Sequence, residues 1–321
     1  MKIVFMGTPD FSVPVLQKLI DHENIEVACV VTQPDRPKGR KQVLTAPPVK
    51  KIAQKYGIPV LQPEKVRKPE AVQQILACRP DVLITAAYGQ ILPQPLLDGP
   101  RLGCINVHAS LLPAYRGAAP IQKAIIDGKQ ETGVTIMYMV KKLDAGDILA
   151  QVRVPITDDE TFGTLHDKLS EAGSRLLMKT LPDLAKGILT PVKQDEAHVT
   201  FAPSIKRADE SIDWRRSASD IRNLIRGLNP FPGAHTTING ENFKIFQALL
   251  SDQPSADRKP GTVLSVEQDS FSVATGSGGC LKVIECQPAG KKRMRVADYL
   301  HGRSLKDGTV LGEENEKNRR P

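Results

Sequence analysis

A chain of 321 residues exceeds the usual size of one compact domain and predicts two, each able to bury its own core. Its 44 Lys and Arg against 36 Asp and Glu give a formal charge of +8, a balance that admits a polyanionic partner without requiring one. Five cysteines at scattered spacings exclude a disulfide framework and a paired-cysteine metal site, and no signal-type leader or run of about 18 apolar residues occurs, so the expected setting is the reducing cytoplasm.

In chain order, Ile3 to Met6, Val27 to Thr32, Val82 to Ala86 and Ile105 to His108 read as buried strands rich in Val and Ile. Between the first two, Ser12 to Ile20 reads as a helix with Ser12 as its N-cap, Pro14 early, and Val15, Leu16, Leu19 and Ile20 on one face. This alternation predicts an α/β fold, a Rossmann-like and mostly parallel sheet with helices on both faces. The first strand runs into Gly7-Thr8-Pro9-Asp10-Phe11, which lacks the glycine spacing of a dinucleotide site and reads as a tight turn. The connection Gln33 to Lys51 is long and carries Arg36, Lys38, Arg40, Lys41, Lys50 and Lys51 against Asp35 alone; its plainest reading is a solvated basic face.

The strand ending at His108 alternates faces with period two, so Asn106 and His108 project from the same side. For an arbitrary strand, such a pair simply bonds neighbouring backbone. Here it opens into Ser110 to Pro120, a loop fixed by prolines and glycine at the place where open α/β sheets bind ligands. A further strand, Val134 to Met139, leads to a turn with Asp144 and Asp147 around Gly146, either of which suits a turn cap as well as a site.

A helical pattern then spans Phe162 to Leu184, and a polar stretch leads to a boundary near Pro203. Beyond it come a helix, Ala218 to Leu228, and short strands around His235 to Ile238, Phe243 to Ala248, Val263 to Val266, Phe271 to Ala274 and Leu281 to Ile284. Strands of this length and spacing predict a small OB-like β-barrel. Lys291 to Arg295 suits a phosphate backbone or a solvated turn, whereas Trp214 and Phe231 read as packing residues. The expected division is 1–203 for a catalytic domain, 204–312 for the barrel, and 313–321 for a polar tail. The six histidines show no metal-type spacing, so no metal is expected.

Four motifs stand out: GTPDF at Gly7 to Phe11, TQPDRP at Thr32 to Pro37, INVHASLLPAYRGAAPIQ at Ile105 to Gln122 and LDAGDI at Leu143 to Ile148. Together they make the chain resemble the methionyl-tRNA formyltransferase family of folate-dependent formyltransferases, through nearly its whole length. The Asn, the His two residues later, SLLP and the downstream Asp are shared with other folate-dependent formyltransferases. They mark the chemistry rather than the acceptor, which leaves a nucleotide or sugar amine as the alternative.

The resemblance implies transfer of a formyl group from 10-formyltetrahydrofolate to initiator methionyl-tRNA, as a step of one-carbon metabolism that feeds translation initiation. It implies Asn106, His108 and Asp144 as catalytic, and Ser110, Leu111, Leu112 and Pro113 in the folate pocket, with Tyr88 to Leu92 as further lining. It places the 33–51 loop against the tRNA acceptor arm, with Arg40 and Lys41 as contacts, and 204–312 as a tRNA-binding domain. Lys41-Gln42-Val43 departs from the glycine and lysine common there in the family. The expected product is tetrahydrofolate, and the expected state is a cytoplasmic monomer with no membrane partner.

Overall fold

The computed structural model describes residues 1–39, 41–255, 258–302 and 305–313. Its contacts divide into two units, the first comprising Met1–Pro120, Glu131–Pro155 and His166–Pro203. The second takes the chain from Ser204 together with Ile121–Gln130 and Ile156–Leu165, two segments that a single boundary near Pro203 leaves with the first.

Chain order begins β1 (Lys2–Gly7), α1 (Val13–Ile20), β2 (Glu26–Val31), β3 (Arg36–Lys38), β4 (Val43–Thr45), α2 (Pro48–Lys55) and β5 (Val60–Leu61). It continues with α3 (Pro69–Ala77), β6 (Val82–Ala86), α4 (Gln94–Asp98), β7 (Cys104–His108), α5 (Pro120–Ile126), β8 (Glu131–Tyr138), β9 (Ile148–Pro155) and α6 (Phe162–Lys186). Seven strands form one sheet in the order β5-β2-β1-β6-β7-β8-β9. Pairing is parallel from β5 to β7, and β8 and β9 add antiparallel at one edge, so the sheet is mostly parallel as expected. β6 is buried along its whole length and β1 beyond its first residue, which is why both read as unbroken apolar runs. β9 escapes the sequence reading because it is an edge strand whose Gln151 and Arg153 interrupt the apolar pattern.

The strand order reverses between β1 and β6, and crevices for ligands open outside the carboxyl ends of strands at such a point. Polar side chains tie this end together. Ser12 does not cap α1 as expected; its hydroxyl donates to the Ala86 carbonyl at the end of β6. Pro14 has no N–H to satisfy, which reduces the need for that cap. Thr8 Oγ1 (2.9 Å) and Gln33 Nε2 (3.1 Å) both donate to the Tyr88 carbonyl.

Within the basic 33–51 connection, β3 and β4 pair as an antiparallel hairpin. Its base is anchored by Asp35, which accepts from Gln62 Nε2 at 2.7 Å and from Lys50 Nζ at 2.9 and 2.8 Å. The Gln62 amide, with Lys50, holds the Asp35 carboxyl below its ordinary range.

The second unit carries α7 (Ala218–Gly227), capped by Ser217 Oγ accepting from the Asp220 amide at 3.1 Å. Strands β10 (Ala234–Ile238), β11 (Glu241–Ser251), β12 (Val263–Val266), β13 (Phe271–Ala274), β14 (Cys280–Pro288) and β15 (Met294–Arg295) follow, then α8 (Val296–His301). The sheet is antiparallel, in the order β10-β11-β14-β13-β12 with β15 on β14, and bulges near Gln247 bend β11. Trp214 lies in its core and donates through Nε1 to Thr236 Oγ1 at 3.0 Å, as a packing residue should. Phe231 does not pack as expected: it is 74% exposed. Residues 314–321 of the expected polar tail lie outside the described residues.

Candidate active site

β7 lies between β6 and β8, with Asn106 level with Thr85 on one side and Met137 on the other, and His108 level with Thr135. The period-two alternation puts both side chains on one face, and the neighbouring strands then orient them. The Thr85 hydroxyl donates to Asn106 Oδ1 at 2.7 Å, so the amide is held by its oxygen and its N–H donors are turned away from that partner. His108 is buried, and its Nε2 lies 3.1 Å from the Tyr115 carbonyl. A carbonyl only accepts, so Nε2 carries the hydrogen and Nδ1 is the nitrogen left for chemistry.

Nδ1 faces Asp144 Oδ2 at 3.8 Å, with both side chains largely buried. That is an ion-pair distance and too long for a direct hydrogen bond, so it is the Tyr115 carbonyl that holds the ring. The tertiary path to this contact differs from a simple shared edge. β8 runs antiparallel to β7, and Tyr138 lies level with Ile105 at the start of β7. The turn after β8 therefore begins at the far end and folds back to bring Asp144 to His108. Two glycines permit it. A Cβ on Gly146 would run into the Tyr138 carbonyl. Gly117 has φ +124°, a Cβ there would sit 2.6 Å from the Ala202 carbonyl oxygen, and its N–H donates to Asp144 Oδ2 at 2.9 Å. Asp144 itself has φ +45°, whereas the carbonyl of the rival Asp147 serves the β8–β9 register by accepting from the Tyr138 amide at 2.9 Å.

The SLLP segment is organised by one hydroxyl. Thr135 Oγ1 donates to the Ser110 carbonyl at 2.7 Å, accepts from the Leu112 amide at 3.1 Å, and accepts from Gln151 Nε2 at 2.9 Å, which also donates to the Leu112 carbonyl at 2.9 Å. Ser110 is fully buried and its hydroxyl donates to the Ala114 carbonyl at 2.6 Å, so it shapes the loop and does not present a polar group outward. Leu112 is buried, and Leu111 and Pro113 are half-buried. In the Tyr88 to Leu92 segment, Tyr88 and Leu92 belong to the core, and burial pushes the Tyr88 phenol up to about 12. Ile91 faces out, 80% exposed.

Thr85, Thr135 and Gln151 are functional supports that the sequence reading did not single out. Each lies on a strand beside the site, and only the pairing of β6, β8 and β9 shows what it touches. Among the basic residues, Lys41 is exposed near the tip of the β3–β4 hairpin, and Arg40 lies outside the described residues. Arg293, from the Lys291 to Arg295 run, stacks over Phe246 at 4.5 Å, pairs with Glu285 and donates to Asn229 Oδ1 at 3.0 Å. It is held by its own unit. Among the described residues no cluster of His, Cys, Asp and Glu is placed to hold a metal, and no helix is long and apolar enough to cross a membrane.

The formyl transferase family matches residues 1–181, and the formyl transferase C-terminal domain matches residues 204–304. The methionyl-tRNA formyltransferase of Bacillus subtilis is 56% identical over 317 residues, covering 99% of both chains. That of Halalkalibacterium halodurans is 57% identical over 317 residues, covering 98% of this chain and 99% of its own. Among solved structures, the N-formyltransferase of Helicobacter canadensis, in complex with folinic acid and dTDP-3-aminofucose, shares the fold at TM-score 0.65 and 18% identity, over 90% of this chain and 99% of that one. HypX of Aquifex aeolicus in complex with tetrahydrofolic acid does so at TM-score 0.62 and 16% identity, over 97% of this chain and 51% of that one. With both family regions in place and identity above one half through nearly its full length, the chain belongs to the formyl transferase family, among the methionyl-tRNA formyltransferases.

Proposed function

We propose that this chain transfers the formyl group of 10-formyltetrahydrofolate to the free α-amino group of initiator methionyl-tRNA, giving N-formylmethionyl-tRNA for translation initiation. The observation that carries this reading is the 56% identity, over 99% of both chains, to enzymes bearing that name. In this reading Asn106, His108 and Asp144 are the catalytic residues, which is supported by the 3.8 Å approach of Asp144 to His108 and by the shared face of Asn106 and His108 on β7. In the reaction the amine nitrogen bonds to the formyl carbon as the bond from that carbon to the folate nitrogen breaks, and the proton lost by the amine is balanced by one gained at that nitrogen.

Asn106 meets the charge that collects on the formyl oxygen. Its Oδ1 is held by Thr85, so its N–H groups are the atoms presented, and such preorganised donors are worth roughly 10² to 10³ in rate each. His108 adds a second donor from Nδ1 only as the imidazolium, because Nε2–H is committed to Tyr115. Asp144 faces Nδ1 at 3.8 Å and, through a water, relays the proton leaving the amine. An α-amino group has a pKa of about 7.7 to 8.0, so no strong base is needed.

The crevice at the ends of β1 and β6 suits the pterin of the donor. The resemblance gives Tyr88 to Leu92 and Ser110 to Pro113 as its lining, and exposed Ile91 and half-buried Leu111 and Pro113 are the apolar residues there open to a ligand. Arg40 and Lys41 contact the tRNA acceptor arm, and residues 204–312 add a second tRNA-binding surface. The enzyme works as a cytoplasmic monomer, which light scattering of the purified protein checks directly. The central test is formylation itself: purified protein, 10-formyltetrahydrofolate and methionyl-tRNA should yield a released aminoacyl group heavier by one formyl unit. No product under excess donor sinks the reading.

A further inference from the structure

The turn that carries Asp144 is neither helix nor strand, so something outside it must hold its shape. Gln194 does so from a segment far along the chain. Its Nε2 donates to the main-chain carbonyls of Asp144 and Gly146, each at 2.8 Å, which uses both hydrogens of the amide nitrogen. Its Oε1 accepts from Arg116 Nε at 3.0 Å and Nη2 at 2.8 Å. Arg116 is 1% exposed, and it directly precedes Gly117, whose N–H bonds the Asp144 carboxylate. One buried side chain therefore joins the main chain of the Asp144 turn to the loop that meets its carboxylate.

The far end of the clamp is closed as well. Arg116 Nη2 also bonds Glu196 Oε1 at 2.9 Å, and Glu196 Oε2 accepts from Lys142 Nζ at 2.7 Å, in the same turn as Asp144. Lys142 first, and then Arg116, hold the Glu196 carboxyl below its ordinary range. Arg116 Nη1 has no hydrogen-bond partner among the described residues, so this buried cation depends on the bonds it does make. Asp144 needs such a clamp because its φ of +45° is a conformation that persists only where the surroundings over-determine it.

We infer that Gln194, gripped by Arg116, is a positioning residue for catalysis: it sets Asp144 against His108 by holding the carbonyls at 144 and 146. The inference rests on the catalytic assignment of Asp144. It concerns the main chain of the turn and assigns Gln194 no contact with either substrate.

Two variants separate positioning from mere stability. Gln194→Ala removes both donors and leaves Arg116 short of a partner. Gln194→Glu keeps an acceptor for Arg116 but has no N–H for the two carbonyls, so the Arg116 contact is retained while the grip on the turn is lost. A misplacement of about 1 Å typically costs roughly 10²-fold in rate. Steady-state formylation with each substrate varied in turn should show kcat down by about that factor in Gln194→Glu, with KM for donor and tRNA near wild type and the thermal midpoint within a few degrees of it. Gln194→Ala should lose kcat to a similar degree and also melt earlier. Wild-type kcat in Gln194→Glu overturns the inference, as does a loss that appears in KM for both substrates and tracks the melting temperature. Failure of the functional reading shows itself separately, as a wild-type protein that forms no product.

Discussion

Gly117 meets two demands at once: a positive φ of +124° and a main-chain N–H aimed at the Asp144 carboxylate. An alanine there would carry strain of about 2 kcal/mol and press on the Ala202 carbonyl. Gly117→Ala should therefore lower both the melting temperature and kcat, measured by calorimetry and by formylation; unchanged kcat would separate the loop from the site. Thr85 is the complementary case, since its hydroxyl meets Asn106, the Ile105 carbonyl of the neighbouring strand and the Met139 sulfur. Thr85→Val keeps the shape of the β6 residue and removes the hydroxyl that orients Asn106. One net hydrogen bond is worth about 1 kcal/mol, so kcat should fall about fivefold with KM for both substrates unmoved. Asp144→Ala should abolish turnover while folate affinity, followed by fluorescence titration, is largely kept.

At the scale of elements, the β3–β4 hairpin is a basic arm on a carboxylate hinge. Asp35 binds Gln62 and Lys50 across its base. Its folded-state pKa is depressed below the ordinary value of about 3.9. The stabilisation from this anchor is therefore fully present above that ordinary value and is lost as pH falls through the depressed one. Hydrogen-exchange protection of the β3–β4 amides should accordingly hold at neutral pH and disappear only in strong acid, whereas Asp35→Asn should leave them poorly protected throughout. The same arm carries Lys41, and the sequence places Arg40 beside it. Arg40→Ala should weaken tRNA use far more than donor binding and reduce the salt dependence of tRNA affinity by about one phosphate contact. Equal losses on both substrates would undo that assignment.

At the scale of the whole molecule, each of the two units has its own core, and the single tryptophan, Trp214, reports on one of them. Phe271 is fully buried in that core, so Phe271→Ala should cost about 3 to 5 kcal/mol and lower the midpoint read by tryptophan fluorescence. An unshifted fluorescence transition would mean that Trp214 does not follow this core. The division into units also shows where sequence reading stops. Apolar periodicity marked β1, β6, β7, α6 and β10 to β14 of the second unit, because burial of a face imposes a repeat on adjacent residues. Period-two alternation likewise put Asn106 and His108 on one side of β7. The approach of Asp144 to within 3.8 Å of His108, the hydroxyl of Thr85 behind Asn106, the turning of Ser12 away from its helix, and the reach of Gln194 to Arg116, 78 residues away, were settled only by tertiary structure. A repeat is a property of neighbours along the chain, whereas a hydrogen-bond partner is a property of neighbours in space, and these came together only once the strands had paired and the turn after β8 had folded back.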